Sequence, residues 1–99
     1  MRHERVFLSD ENSDYIAYQL YNHGSDNRPE RERMKKIMYR AIRHGLTDRQ
    51  RVCVMKYYLE GMQMKDIAAE LGLSKSTVSR HITAAKLKLR KVASYYERL

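Results

Sequence analysis

The sequence predicts an all-α fold of about five helices in one small domain, and three observations support this. No segment shows the alternation of apolar and polar residues that a half-buried strand requires. Apolar residues recur instead at helical spacing, most clearly at Met34, Ile37, Met38, Ala41 and Ile42. One proline and four glycines in 99 residues argue against disorder and against a turn-rich all-β fold.

The first predicted helix has the fewest apolar residues. Its candidate caps are Asp10 and Ser13, and it extends to about Asn22 before Gly24 ends it. We expect residues 1–9 to be frayed, as chain termini commonly are.

A second helix is predicted to open at the turn over residues 26–29, because proline is tolerated in the first turn of a helix. Gly45 ends this helix, with Arg43 and His44 near the negative pole of the helix dipole. Residues 1–45 are therefore predicted to form an amino-terminal helical extension. We expect it to fold as one unit with residues 46–99.

The third helix has a clear start signal. Thr47 precedes Gln50 by three residues, which is the spacing of a capping box. The helix is predicted to extend to Glu60, with Gly61 after its end.

Residues 64–82 carry the pattern of a helix-turn-helix, two helices that cross steeply over a three-residue turn. The preceding helix covers about residues 63–71, and Gly72 can adopt the left-handed conformation of a tight turn. Ser74 caps the last helix, which covers at least residues 75–92. The small and apolar positions expected to set the crossing angle are Ile67, Ala68, Leu71, Leu73, Val78 and Ile82.

The last helix has two different faces at 100° per residue. One face is apolar, with His81 at its edge: Val78, His81, Ile82, Ala85 and Leu89. The other holds short hydroxyls and long cations: Lys75, Ser76, Ser79, Arg80, Thr83, Lys86 and Arg90. Such a face suits the major groove, because hydroxyls allow close approach while Arg and Lys reach guanine edges or phosphates. Leu87 lies outside the apolar stripe, and we expect the amino-terminal helices to cover it.

The positive charge is unevenly distributed along the chain. The formal net charge is +8, and it divides into −3 for residues 1–27, +5 for residues 28–45 and +6 for residues 46–99. Six cations and no acid lie between Leu73 and Val92, which predicts a polyanionic partner. In contrast, Glu30 and Glu32 interrupt the basic run at residues 28–36, and we interpret that run as a solvated helix face.

Several functional classes are excluded by what the sequence lacks. No apolar run reaches the ~18–20 residues of a membrane span, and the first ten residues lack the apolar core of a signal peptide. Cys53 has no partner for an intramolecular disulfide, and the four histidines lack metal-ligand spacing. No catalytic residue set and no phosphate-binding glycine loop is recognisable. We therefore expect a cytoplasmic protein that is not an enzyme and needs no cofactor.

Residues 46–92 resemble region 4 of bacterial sigma-70-type factors, the domain that reads the promoter −35 element. They are also similar to the LuxR-type DNA-binding domain. The matching segments are Leu46–Arg51, Tyr58–Gly61, Asp66–Ser74, Thr77–His81 and Lys86–Val92. The resemblance implies that Cys53, Val54 and Tyr58 lie inside, against the helix-turn-helix. It also implies a weaker N-cap at Gln63, where the family commonly has Ser or Thr.

The resemblance also implies roles in DNA binding. The positions expected to face bases are Lys75, Ser76, Ser79 and Arg80, and Thr83 joins them on the same helix face. The positions expected near phosphates are Arg49, Lys65 and Thr77, to which the last helix adds Lys86, Lys88 and Arg90. Ser76 stands where many sigma factors carry a longer polar residue.

The sequence thus predicts a sequence-specific, double-stranded DNA-binding regulator of transcription from a bacterium, a phage or a mobile element. A self-sufficient sigma factor is not expected, because residues 1–45 are too few and too charged to bind the polymerase clamp and melt DNA. The alternative is a protein-interaction module: a partner of RNA polymerase, or a sigma-like protein associated with the signal recognition particle. The carboxyl-terminal residues are predicted either to pair two copies or to cover residues 1–45: Val92, Tyr95, Tyr96 and Leu99.

Overall fold

A computed structural model describes residues 8–9, 12–13, 15–16, 19 and 28–97. Its four helices with defined ends are α1 (Arg28–Gly45), α2 (Asp48–Val54), α3 (Met64–Leu71) and α4 (Lys75–Glu97). Residues 12–13, 15–16 and 19 are also helical, and no strand occurs in the described part of the chain. The all-α prediction is confirmed.

The amino-terminal helical residues are capped differently from the prediction. Ser9 is the cap: the Asn12 N–H donates to Ser9 Oγ at 3.3 Å, and the Ser9 N–H donates to Asn12 Oδ1 at 2.7 Å. Ser13 lies inside the helix, where its buried hydroxyl donates to the Ser9 carbonyl oxygen at 2.7 Å. The assignment of Ser13 as a cap is therefore wrong, while Asp10, Asn22 and Gly24 lie outside the described residues. Within the segment predicted to fray, Leu8 packs against the core.

Helix α1 places the predicted apolar stripe against the rest of the molecule. Met34, Met38 and Ile42 are buried, at intervals of four residues, and Pro29 occupies the first turn. The helix ends at Gly45, as predicted. Three residues later α2 begins, and it has the predicted capping box: the Gln50 N–H donates to Thr47 Oγ1 at 3.1 Å and the Thr47 N–H donates to Gln50 Oε1 at 3.2 Å.

The third predicted helix changes its winding before it ends. After Val54 the main chain continues as a π-helical turn, Met55–Leu59, in which the Glu60 N–H donates to the Met55 carbonyl oxygen at 3.1 Å. The prediction of one regular helix to Glu60 is therefore wrong in its last turn. Gly61 follows with φ +70°, a conformation that favours glycine.

The helix-turn-helix has the predicted geometry. Helix α3 ends at Leu71, α4 begins at Lys75, and three residues form the turn. Gly72 has φ +68°, and its N–H donates to the Ala68 carbonyl oxygen. At the start of α3, Gln63 makes no side-chain cap, in agreement with the weak N-cap predicted there.

Two apolar clusters lie on the buried side of α4. The amino-terminal cluster joins α1, α2 and the second half of α4, and its buried members are Ile16, Met34, Met38, Ile42, Leu46, Val54, Ala85, Leu89 and Ala93. The helix-turn-helix cluster joins α2, α3 and the first half of α4, and its buried members are Cys53, Met62, Ile67, Ala68, Val78 and Ile82. The half-buried Tyr58 contacts both clusters, so α4 is fixed along most of its length.

One prediction about α4 is wrong. Leu87 is 57% exposed, so the amino-terminal helices do not cover it. Leu89 faces the core, and Leu87 lies about 160° around the helix from it, so Leu87 points to solvent. Among the residues predicted either to pair two copies or to cover residues 1–45, Tyr95 is 63% exposed and Val92 is half-buried beside Ile37 and Ala41 of α1. None of the described helices combines the length and apolar character needed to cross a membrane.

Candidate DNA-binding surface

The first half of α4 is held by the helix-turn-helix cluster. Val78 and Ile82 of α4 are buried against Ile67 and Ala68 of α3, and the wholly buried Cys53 of α2 packs behind them. Burial raises the pKa of the Cys53 thiol, and nearby Arg49 opposes that shift. The neutral thiol therefore acts as a small apolar side chain in this core.

Val54 packs elsewhere. It belongs to the amino-terminal cluster with Ile42 and Leu89, while Tyr58 lies between the two clusters. All three residues predicted to lie inside are thus buried or half-buried, but only Cys53 and Tyr58 contact the helix-turn-helix cluster.

A polar ridge runs along α4 on the side away from the core. Ser76, Arg80 and Thr83 are exposed and are spaced four and three residues apart, which places them on one helix face. Lys75 is exposed beside this ridge and Ser79 is half-buried. From Ser76 to Thr83 the ridge is about 10 Å long at 1.5 Å per residue.

Most base-facing candidates are thus brought together on one accessible surface. Within the described part of the chain, Lys75 and Arg80 make no ion pair, so their charges are available to a ligand. No acidic residue occurs anywhere between Ser74 and Val92, so the ridge has no carboxylate from its own stretch of sequence. Hydroxyls and uncompensated cations on a protruding helix can contact base edges and phosphates.

The hydroxyl groups at the start of α4 are engaged with one another. Ser74 Oγ accepts from the Thr77 N–H at 3.2 Å and lies 2.8 Å from Thr77 Oγ1 and 3.1 Å from Ser76 Oγ. Ser74 is therefore the cap that the sequence predicts. The Thr77 side chain is half-buried and contributes to the cap, so its hydroxyl is less available to a phosphate than the prediction assumed.

Two of the predicted phosphate contacts also have partners inside the protein. The ammonium of Lys86 lies 6.0 Å from the centroid of the Tyr58 ring, at the outer limit of a cation–π contact. Lys88 Nζ donates to Gln50 Oε1 at 3.0 Å, and the same oxygen accepts from Thr47 in the capping box. These two lysines help to hold α4 against α2 and the π-helical turn.

Arg49 on α2, Lys65 on α3 and Arg90 on α4 are exposed. Arg49 and Lys65 precede α4 in the chain and come from two of the three helices that pack against it. These three phosphate candidates therefore come from three separate helices.

A charged cluster that the sequence did not predict joins the π-helical turn to α3. Lys56 Nζ donates to Glu70 Oε1 at 2.6 Å and lies 3.8 Å from Glu60 Oε1. The side chains of Lys56 and Glu60 are only 13% and 8% exposed. The spacing of Lys56 and Glu60, four residues, is a signal that sequence reading could have used. Glu70 is fourteen residues from Lys56, and only the fold brings them together.

In the described part of the chain, no three side chains among His, Cys, Asp and Glu are grouped closely enough to hold a metal ion. His81 is half-buried at the edge of the helix-turn-helix cluster, and His44 lies exposed at the end of α1.

Comparison with known protein families agrees with this geometry. The family profile described as Sigma-70, region 4 matches residues 35–89, more than half of the chain. The match begins within α1, eleven residues before the segment 46–92 that resembles region 4. It includes α3 and most of α4, the two helices of the helix-turn-helix. No curated protein and no solved structure is significantly similar to the chain. The family's domain is a helix-turn-helix that binds DNA in transcription and is not an enzyme. The chain belongs to the sigma-70 region 4 family.

Proposed function

We propose that this protein binds specific sequences of double-stranded DNA through α4 and thereby regulates transcription. The observation that carries the proposal is the exposed ridge of Ser76, Arg80 and Thr83 on α4, a helix whose opposite side is buried in the core. No acidic residue of α4 precedes Glu97, so the positive charge of the ridge is not neutralised within its own helix. A ridge of this composition has the donors that base edges in the major groove accept.

The proposed roles differ between two groups of side chains. Lys75, Ser76, Ser79, Arg80 and Thr83 face the bases, and Arg80 has the reach and the paired donors to recognise guanine. Arg49, Lys65, Thr77, Lys86, Lys88 and Arg90 contribute to the phosphate contacts that fix the position of the helix. Within this second group, Arg49 and Lys65 matter most, because the side chains of Thr77, Lys86 and Lys88 already have internal partners.

Selection of bound sequences from a random duplex pool tests this proposal directly. We expect the protein to enrich a defined sequence. The selected duplex should bind more weakly as salt rises, with a log–log slope of about −0.9 per phosphate neutralised.

Substitution of Arg80 by alanine should relax the sequence preference. A good bidentate contact discriminates between bases by about 1–3 kcal/mol, so we expect the Arg80→Ala protein to bind the selected duplex and a duplex mismatched at the base pair that Arg80 reads with nearly equal affinity. Lys65→Ala is the matched control, because it should weaken all duplexes by a similar factor and leave the preference intact. An unchanged preference in the Arg80→Ala protein would show that the groove assignment is wrong.

RNA polymerase is the second proposed partner, because sigma region 4 domains in general bind both DNA and polymerase. Capture of purified polymerase subunits in the absence of DNA would favour a co-activator or a partner of a split sigma factor. Salt-sensitive binding of duplex DNA by the protein alone would favour the regulator. Sedimentation of the free protein tests the proposed homodimer, for which the exposed Tyr95 offers a contact.

A further inference from the structure

We infer that the outer face of α1 is a second binding site for duplex DNA, one that contacts the phosphate backbone and reads no bases. One copy of the protein then holds two separate duplex segments, one at α4 and one at α1. Binding at α1 does not depend on the polar ridge of α4, and only the joining of two segments rests on the proposed function.

The outer face of α1 carries a stripe of cations. At 100° per residue, the members of this stripe fall within a sector of about 100°, and the buried Met38 lies about 170° around the helix from the middle of that sector. The stripe is about 16 Å long at 1.5 Å per residue. Its members are all exposed and together are named the α1 stripe: Arg33, Lys36, Arg40, Arg43 and His44.

The positive charge of the α1 stripe is not neutralised by any described residue. None of its members makes an ion pair with the described part of the chain, although Arg43 donates a hydrogen bond to Tyr39 Oη at 3.4 Å. No acidic residue of α1 falls within the sector of the stripe. Glu32 lies just outside it and pairs with Lys35 at 3.2 Å. The interpretation of residues 28–36 as a solvated face therefore accounts for this pair but not for the stripe.

The composition of the α1 stripe suits the phosphate backbone of a duplex better than it suits a protein or an unpaired strand. Protein interfaces are built around buried apolar or aromatic anchors, and single strands are bound by cations together with aromatic rings on which bases stack. Ile37, Tyr39 and Ala41 all lie outside the sector of the stripe and are half-buried. Phosphates require only cations and hydrogen-bond donors, which the stripe supplies.

The α1 stripe and the polar ridge face away from each other. Helix α1 packs against α4, and Met38 of α1 and Leu89 of α4 are both buried in the amino-terminal cluster. The stripe lies about 170° around α1 from Met38, and Arg80 lies about 180° around α4 from Leu89. A single straight duplex bound along the ridge would therefore not reach the stripe, which leaves the stripe open to a second duplex segment.

The first experiment asks whether protein bound to one duplex captures another. The duplex selected for α4 is immobilised and saturated with the full-length protein, and it occupies α4 first because specific sites bind at least about 10³-fold tighter than non-specific ones. A fluorescent duplex of about 20 base pairs and random sequence is then added. We expect capture by the loaded duplex and none by the bare duplex. The affinity per bound protein should fall about 100-fold between about 50 and 200 mM salt, as four phosphate contacts require.

Charge reversal assigns the capture to the α1 stripe. The protein carrying Lys36→Glu and Arg40→Glu should capture the second duplex at least about tenfold more weakly, while its affinity for the selected duplex changes less than about threefold. Lys36→Arg with Arg40→Lys is the matched control, because it alters the same two positions and keeps both charges, and it should leave the capture unchanged. We expect equal melting temperatures for the two variants, since both positions are exposed.

Three results would overturn the inference. Undiminished capture by the charge-reversed protein would place the second duplex on another surface, such as the ridge of a second copy. Saturation of the selected duplex without any capture would show that the α1 stripe does not bind DNA. Capture of a single-stranded oligonucleotide at least about tenfold more tightly than the duplex would assign the stripe to unpaired strands.

The α1 stripe can also be tested apart from the ridge. The ¹⁵N-labelled protein is titrated with the random-sequence duplex alone, and we expect changes in the amide resonances of the stripe whether or not residues 75–83 respond. Failure of α4 to bind DNA would remove the changes at residues 75–83 only. Failure of the stripe to bind DNA would remove the changes at its own residues, so the two failures are distinguishable.

Discussion

At the scale of single residues, Gly72 sets the direction in which α4 leaves the helix-turn-helix. Its φ of +68° lies in the left-handed region, and a Cβ added there would meet nothing within 4 Å. The cost of a side chain at this position is therefore conformational and not steric. We expect Gly72→Ala to lower the free energy of unfolding by about 1–2 kcal/mol in urea denaturation.

Gly45 provides the matched control for this substitution. It is the last residue of α1, it does not have a positive φ, and an added Cβ would also meet nothing within 4 Å. Gly45→Ala should be neutral or stabilising by about 0.5–1 kcal/mol, because alanine restricts the unfolded chain. Equal destabilisation by the two substitutions would contradict a conformational role for Gly72.

Cys53 gives a prediction about alkaline pH. Burial raises the pKa of its thiol in the folded state above the ordinary value that it has in the unfolded chain. The folded protein therefore holds its proton more tightly, and its stability should fall as pH rises above the ordinary pKa and through the raised one. We expect Cys53→Ala to make the unfolding free energy less dependent on pH in this window. An unchanged alkaline slope in the variant would contradict this.

At the residue scale, the features that could be predicted are those whose signal lies in neighbouring residues. The capping box of Thr47 and Gln50 and the left-handed Gly72 depend only on neighbouring residues, and both were predicted. The contact between Gln50 and Lys88 was not predicted, because thirty-eight residues separate them and only the fold brings them together.

At the scale of elements, the π-helical turn after α2 is the main irregularity. It ends at Leu59, and Lys56 within it joins Glu60 and Glu70, which connects the turn to α3. Because the Glu60 side chain is only 8% exposed, its carboxylate depends on Lys56 for compensation. The turn therefore contributes to the position of α3 and indirectly to that of α4.

Removal of the Lys56 charge should destabilise the protein. We expect Lys56→Met to lower the free energy of unfolding by about 1–3 kcal/mol, since it leaves a buried carboxylate without its partner. Lys35→Met is the control: its partner Glu32 is 56% exposed, and the change should cost less than about 1 kcal/mol. Adding Glu60→Gln to the Lys56→Met protein should restore part of the loss. Similar costs for the two lysine substitutions in urea denaturation would argue against the buried cluster.

Helix boundaries and helix winding differed in how well they could be predicted. Gly45, Gly61 and Gly72 mark ends that the sequence shows directly, and the structure has helix ends or turns at each. The π-helical turn at 55–59 has no such punctuation. Apolar periodicity alone does not distinguish it from a regular helix.

At the scale of the whole molecule, α4 connects the two clusters and presents different surfaces at its two ends. Its first half carries the polar ridge, and its second half borders an apolar groove with α1 that is lined by Ile37, Ala41 and Val92. The ridge was predictable from the two faces of one helix. The groove was not, because Val92 and Ile37 meet only after α1 has packed against α4. The prediction that the amino-terminal helices cover Leu87 was wrong for a related reason. The sequence does not show whether another element packs on an apolar residue that lies outside the apolar stripe of its helix.

The most direct test of the account is to map the amide resonances that change when the selected duplex is added to the ¹⁵N-labelled protein. We predict the largest changes at the exposed positions of residues 75–83, with further changes near Arg49 and Lys65, and little change at Ile37 and Ala41. Changes confined to α1 and the groove, with none along the first half of α4, would contradict the claim that α4 binds DNA.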